Sequence, residues 1–333
     1  MGSTPVETLV LTGSDVTRSL SATDCREAIE RAFAMIGQGR AAASRSIGFE
    51  ARGGSFHAKA VLLETERPKF VAKLNGNFPG NPATNGLPTI QGVLVLSDAL
   101  DGRPLAVMDS ASLTAVRTAA ATAVATRYLA RRGSCTAAIV GCGLQGRSHV
   151  DALLALWPFA EIRLFDTYPA RAAKLAEGRG TGAGTTLRVA LEVADAAFGA
   201  DVVVTCTTGT EYVLRDGDVA AGAFVAAVGA DNPHKREIHP SLMRRARVVV
   251  DDLAQCAAGG DLHHALEAGV MKLDDVHGDL GSVIAGATPG RQRDDEIFVF
   301  DSTGIAIEDA AAAEIVYARA LAAGIGLRVR LGD

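Results

Sequence analysis

A glycine turn behind an apolar run, a regular succession of short apolar strands after it, and an alanine-rich helix before it predict an α/β protein built on a doubly wound parallel sheet. The turn is Gly141-Cys142-Gly143-Leu144-Gln145-Gly146, entered from Ala137-Ala-Ile-Val140, and Asp166 follows twenty residues later at the end of Ile162-Arg-Leu-Phe165. A strand that turns on glycines into a helix aims bare backbone N–H groups at a pyrophosphate, and an acid ending the next strand accepts both ribose hydroxyls. The pattern reads as a Rossmann dinucleotide-binding domain. Asp166 repels a 2′-phosphate, so NAD is expected ahead of NADP, with Arg163 and Arg171 as the nearby residues able to tolerate one. Leu144 and Gln145 within the turn, and Thr118, Thr207, Val228 and Gly229 outside it, are taken as further cofactor contacts.

The elements follow in order. Cys25, Ala28, Ile29, Ala32, Phe33 and Ile36 recur at helical spacing, so residues 23–39 predict a helix capped by Thr23 or Asp24 and closed at Gly37 and Gly39. Strand-like runs at Ser55–Leu63, Phe70–Leu74 and Gln91–Asp98, with a turn at Asp101-Gly102, make this half mostly β. Residues 112–132 are rich in strong helix formers and predict a long helix. Six strand signals then complete a Rossmann unit: 136–141, 161–166, 187–190, 202–206, 224–229 and 248–251. Phe298-Val-Phe-Asp301-Ser-Thr-Gly304 leads into a helix from Ile305 to about Ala323, and Leu327–Leu331 suggests a last strand. Too little sequence remains there for a third domain. The segment is therefore expected to return to the N-terminal half, giving a discontinuous α+β domain (1–125 with 305–333) around the dinucleotide domain (126–304).

Composition narrows the function. The chain has 333 residues, 48% hydrophobic and 21% charged, which allows a sizeable core. Its net charge of −5 offers nucleic acid no overall attraction. Cys25, Cys135, Cys142, Cys206 and Cys256 show no paired spacing, so reduced thiols and a cytoplasmic location are expected. No leader-like N-terminus and no membrane-length apolar window is found. His263-His264 and His277-Gly-Asp279 match no known ligand spacing, so no metal is expected. The serine-hydrolase elbow is absent.

A dinucleotide site does not choose a reaction, so the chemistry must come from charges elsewhere. Lys73 follows Phe70-Val-Ala on a strand-like run, and Arg117 sits among Ala, Val and Thr. Such cations are costly unless an anion pairs with them. A substrate carboxylate and an internal acid both remain open as that anion. Asp231 follows Ala226-Ala-Val-Gly229-Ala230 at the carboxyl end of a Rossmann strand, where ligands gather. It suits either proton transfer on a substrate amine or an Asx turn into Asn232-Pro233.

These segments also carry a resemblance. Ser44-Arg45-Ser46, Val71-Ala-Lys73-Leu-Asn75, Gly80-Asn-Pro-Ala-Thr-Asn-Gly86-Leu-Pro-Thr-Ile-Gln-Gly92, Val107-Met-Asp109-Ser, Thr114-Ala-Val-Arg117-Thr118, Val228-Gly-Ala-Asp231-Asn-Pro233-His-Lys235-Arg-Glu237 and Asp301-Ser-Thr-Gly-Ile-Ala-Ile-Glu-Asp309 occur in one order along nearly the whole chain. The chain resembles the ornithine cyclodeaminase/mu-crystallin family. The resemblance implies a split substrate domain whose sheet forms a homodimer, and a second domain holding NAD(H) or NADP(H). It implies that Arg45, Lys73 and Arg117 hold the substrate α-carboxylate, that Lys73 also moves a proton, and that Asp231 handles the amino or imino nitrogen.

One departure matters. Where cyclodeaminases of this type carry a Met-Pro-like segment preceded by an acid, this chain reads Ser55-Phe56-His57-Ala58-Lys59-Ala60. No acid there receives a distal amine. His57 and Lys59 are expected to add positive charge and favour a second anionic or polar group on the substrate, unless Lys59 is only a solvated edge-strand lysine. The expected function is an NAD(P)-dependent amino-acid dehydrogenase or ketimine reductase acting on a CH–NH bond. The alternatives are a cyclodeaminase-type lyase with catalytic NAD, and a non-catalytic NAD(P)-dependent ligand-binding protein of the mu-crystallin kind.

Overall fold

The computed structural model describes residues 7–40, 44–177 and 184–332. They form two compact units, one of residues 1–32, 39–117 and 305–333, the other of residues 33–38 and 118–304. The long segments of the two meet between Arg117 and Thr118.

The first unit opens with β1 (Thr8–Leu11), α1 (Gly13–Ser19) and α2 (Ala22–Gly37). Thr12 caps α1 by a reciprocal box: its hydroxyl accepts from the Asp15 N–H while the Asp15 carboxylate accepts from its own. Next come β2 (Arg45–Ala51), β3 (Gly54–Leu63), β4 (Lys69–Asn77), α3 (Asn81–Thr84), β5 (Ile90–Asp98), β6 (Pro104–Asp109) and α4 (Ser110–Leu129). The strand-like runs read from the sequence are therefore strands, each longer by one to several residues. β1, β2 and β6 were not anticipated.

The second unit takes over inside α4. Its alternating strands and helices are β7 (Thr136–Val140), α5 (Leu144–Leu156), β8 (Glu161–Phe165), α6 (Pro169–Glu177), β9 (Thr186–Val189), α7 (Val193–Ala197), β10 (Val202–Thr205), β11 (Phe224–Ala227), α8 (Pro240–Arg245), β12 (Arg247–Val250), α9 (Leu253–Gly259), α10 (Asp261–Glu267), β13 (Gly278–Asp279), α11 (Leu280–Ile284) and β14 (Phe298–Asp301). All pairings in this sheet are parallel, in the order β13-β12-β14-β11-β10-β7-β8-β9. The switch point expected of a doubly wound sheet lies between β7 and β10. Six strands were expected; β14 is a seventh, inserted between β11 and β12, and β13 an eighth at the edge. Phe298-Val-Phe is thus core of this sheet, fully buried, and not merely a lead-in to the following helix. β7, β10, β11 and β12 are close to continuous runs of buried Val, Ala and Ile, as a sheet covered on both faces requires.

The chain then returns to the first unit with α12 (Ala306–Ala323) and β15 (Leu327–Val329). Its seven-stranded sheet has the order β15-β1-β6-β5-β4-β3-β2. Side chains alternate between the faces of a strand, and directly opposed residues share a face. Val61, Leu63, Val71, Leu94, Leu96 and Met108 are buried on the face that α12 covers. Ile47, Phe49, Phe56, Phe70, Leu74 and Val93 lie on the other and are 41–58% exposed in the single chain.

Candidate active site

Lys73 on β4 projects to the α12 side of its sheet and is buried. Its Nζ lies 2.7 Å from Asp309 Oδ2 and donates to Thr114 Oγ1 at 3.3 Å. Arg117, buried on α4, donates through Nε to Asp309 Oδ1 at 2.9 Å and through Nη1 to Glu308 Oε2 at 3.0 Å. Both acids sit in the first turn of α12, where the helix dipole also favours negative charge. The anion left open by the sequence is therefore internal: a two-cation, two-carboxylate cluster assembled from β4, α4 and α12.

Burial drives the Lys73 pKa down to about 8, against the pull of Asp309. For Asp309, burial works against ionisation, yet Lys73 and Arg117 outweigh it and hold the carboxyl below its ordinary value. Arg117 is likewise opposed by burial and rescued by Asp309 and Glu308, so it stays protonated. An ammonium tuned towards neutrality is equipped to give or take a proton.

Lys59 on β3 is directly opposite Lys73 and half-buried on the same face. Its charge bears on both Lys73 and Asp309. One row on, His57 faces Asn75, with its Nε2 3.0 Å from Ser55 Oγ, and Asn75 Oδ1 accepts from Ser110 Oγ at 2.6 Å. Gly92 completes that row because a Cβ there would sit 2.3 Å from Asn75 Oδ1 and 2.2 Å from the Leu74 carbonyl. Arg45 does not join the group. Register pairs it with Ala60, which faces Ala72, so it projects from the opposite side of the sheet to Lys73; it is exposed and makes no ion pair among the described residues.

In the second unit the glycine turn has the form a pyrophosphate needs. Gly141 has φ +104°, open to glycine but strained for other residues, and a Cβ on Gly146 would lie 2.0 Å from the Gly141 carbonyl, so α5 packs on β7 only without one. Gly143, at the N-cap of α5, would meet nothing within 4 Å. That leaves a bare cradle before the first N–H groups of α5, and these residues fit a dinucleotide. Asp166 ends β8 and is tied to the turn: its carboxylate accepts from the N–H groups of Cys142 and Tyr168, both at 2.8 Å. Arg171 stacks over the Tyr168 ring, 3.8 Å from Asp166. Arg163 is instead committed to Glu161 at 2.7 Å.

The residues expected at the other strand ends are drawn together by an acid the sequence reading overlooked. Glu237, fully buried, accepts from Thr205 Oγ1, Thr207 N–H and Gly229 N–H, fixing the ends of β10 and β11. Val228 is held by its N–H to the Thr205 carbonyl, and Thr118 is buried in α4. Asp231 is 45% exposed and accepts from Lys235 Nζ at 2.7 Å and Asn232 Nδ2 at 3.1 Å. His263, His264 and Glu267 bring three ligand-type atoms within 4.8 Å of one another, a grouping their sequence spacing did not suggest. Glu308 and Asp309 close the motif that begins at Asp301, and the motif alone does not reveal what they pair with. Their signal was two adjacent acids inside Ile305-Ala-Ile and Ala310-Ala-Ala-Ala313, a helix otherwise fit only for burial.

No described helix is long and apolar enough to cross a membrane. Residues 6–324 match the family model of the ornithine cyclodeaminase/mu-crystallin family. Alanine dehydrogenase of Archaeoglobus fulgidus is 36% identical over 329 residues, covering 98% of this chain and 99% of that protein. Among solved structures, an archaeal alanine dehydrogenase dimer with bound NAD superposes with a TM-score of 0.92 at 34% identity, over 98% of this chain and 100% of that one. The Δ1-pyrroline-2-carboxylate reductase of Thermococcus litoralis, in complex with NADH and L-proline, gives 0.91 at 31% identity over 97% and 100%. The chain belongs to the ornithine cyclodeaminase/mu-crystallin family.

Proposed function

We propose that the protein is an NAD-dependent oxidoreductase acting on the CH–NH bond of an α-amino acid or its imine. The observation that carries the reading is Lys73: a buried lysine lowered to about 8 and held 2.7 Å from Asp309, the carboxylate that it shares with Arg117. NAD, when bound, supplies the hydride acceptor or donor. The glycine turn and the start of α5 are the groups for its pyrophosphate, and Asp166 the group for its ribose.

Lys73 and Arg117 draw the substrate carboxylate, and Lys73 moves a proton at neutral pH. Asp231, oriented by Lys235 and Asn232, is assigned the proton on nitrogen. The exposed apolar face of the seven-stranded sheet is assigned to a homodimer, in keeping with the dimeric relative. The cyclodeaminase reading is less favoured, since the segment that would receive a distal amine presents His57 and Lys59 instead of an acid.

The test is a panel of 2-oxo acids with ammonia, cyclic imines and L-amino acids, followed by both NADH absorbance and ammonia. Net NADH turnover supports the proposal. Ammonia released from ornithine or lysine without net cofactor change supports the lyase, and neither change supports a ligand carrier.

A further inference from the structure

Carboxylates clasp β10 at both of its ends. Asp201, just ahead of the strand, accepts from the N–H groups of Cys135 and Thr136 at 2.8 and 3.0 Å and pairs with Arg131, so it ties the starts of β7 and β10 together. Glu237 works at the other end. Its Oε1 accepts from the Thr207 N–H at 2.5 Å, and its Oε2 from Thr205 Oγ1 at 2.7 Å and from the Gly229 N–H at 2.8 Å. The fit is close: a Cβ on Gly229 would lie 2.4 Å from Glu237 Oε1. Glu237 is itself fixed, since its N–H and that of Ile238 donate to Asp261 Oδ1 at 2.8 and 2.9 Å. At 1% exposure it acts through the backbone it holds and not by touching a ligand.

We propose that Glu237 is a positioning residue for the nicotinamide half of NAD, acting through Thr207 and Gly229. A doubly wound sheet holds a dinucleotide across the point where its strand order reverses, with one half over the strands on each side. Here β8 lies on one side of β7, and β10 and β11 lie on the other. Asp166, the group assigned to the adenosine ribose, ends β8, which leaves the ends of β10 and β11 to the nicotinamide half. The glycine turn borders them: a Cβ on Gly141 would lie 2.9 Å from the Cys206 carbonyl oxygen and 3.4 Å from the Thr207 methyl carbon. The turn has its own anchors on the β8 side, the Gly141 N–H to the Phe165 carbonyl and the Cys142 N–H to Asp166, both at 2.8 Å. Undoing the Glu237 clasp therefore loosens one half of the cofactor site and leaves the other in place. The inference rests on the reading that the glycine turn holds NAD, and not on the reaction assigned to it.

The test is titration with NADH, followed by nicotinamide fluorescence, and with ADP, followed by calorimetry, for the wild type, Glu237→Gln, Thr205→Val and Asp201→Asn. ADP carries the adenosine and the pyrophosphate without the nicotinamide. Glu237→Gln keeps the shape of the side chain but turns an amide NH2 against N–H donors. It is expected to weaken NADH at least about tenfold more than ADP, the order of one hydrogen bond to a charged group. Asp201→Asn, which opens the clasp at the far end of the same strand, is expected to change the ratio of the two affinities by less than about twofold. A merely structural role for Glu237 would weaken both ligands alike. A relative loss of NADH below about tenfold in Glu237→Gln overturns the proposal, as does an equal relative loss in Asp201→Asn. If Glu237→Gln does not fold, Thr205→Val carries the test: it removes one of the three donors from a fully buried position, and a relative loss of NADH below about threefold overturns the proposal. A wild type that binds neither ligand sinks the reading of the glycine turn together with this one, whereas tight wild-type binding with an unmoved ratio in Glu237→Gln sinks this one alone. No turnover is read, so the redox reading stands or falls separately.

Discussion

Replacing Asp309 with asparagine keeps the shape of the cluster and removes the charge that holds Lys73 and Arg117. An opposite charge within about 4–6 Å shifts a pKa by roughly 1–3 units, and Asp309 lies 2.7 Å from Lys73 Nζ. Taking it away leaves the ammonium with the burial penalty and the repulsion of Arg117 and Lys59, so the Lys73 pKa falls further, from about 8 to roughly 5–7. The assay is the pH dependence of kcat/KM for amino-acid oxidation, which reports the free enzyme. The wild type should gain activity as pH rises through about 8, where Lys73 becomes a base. In Asp309→Asn that limb should move down by at least one unit. Breaking a buried ion pair also costs about 3–5 kcal/mol, so Tm should fall by roughly 10 °C. A limb that stays at 8 or moves up refutes the assignment of the titrating group. Lys73→Met, which should abolish the limb with most of the turnover, carries the test if the asparagine variant is too unstable.

Gly146→Ala places a Cβ 2.0 Å from the Gly141 carbonyl, so NADH affinity, followed by nicotinamide fluorescence, should fall more than tenfold; a change below twofold would mean that α5 does not approach the cofactor. Asp166→Ala should weaken NAD by about tenfold and narrow its preference over NADP, and an unchanged preference places the ribose acid elsewhere. Asp301, fully buried beside Asp251, Asp261 and Glu237, has its pKa raised by burial to about 7. A raised carboxyl stabilises the fold fully below its unfolded value near 4 and loses that contribution as pH climbs to 7. The Tm of the wild type minus that of Asp301→Asn should therefore shrink between pH 4 and 7, and a difference that grows over that interval refutes the raised value.

Local chemistry explains what was readable in the chain. The glycine turn, Asp166 and the apolar strands each declare themselves within about twenty-five residues, because turn geometry and side-chain alternation are short-range properties. The partners of Lys73 and Arg117 lie on α12, some two hundred residues away, and no periodicity links them. The face on which Arg45 lies was hidden for a related reason: it is decided by register with β3, which a motif does not reveal. β14 escaped because Phe298-Val-Phe stands far along the chain from the strands it separates, and only the closed sheet shows the gap it fills.

The split construction of the first unit sets an order of events during synthesis. Residues 118–304 have all their own strands in hand before α12 emerges, so that sheet is free to close while the ribosome is still at work. The earlier segment must wait, its lysine and arginine hydrated and its sheet lacking a cover, until Glu308 and Asp309 arrive. Nascent chains halted before residue 305 should therefore be the ones that engage chaperones and aggregate, while the later-made half already resists proteolysis.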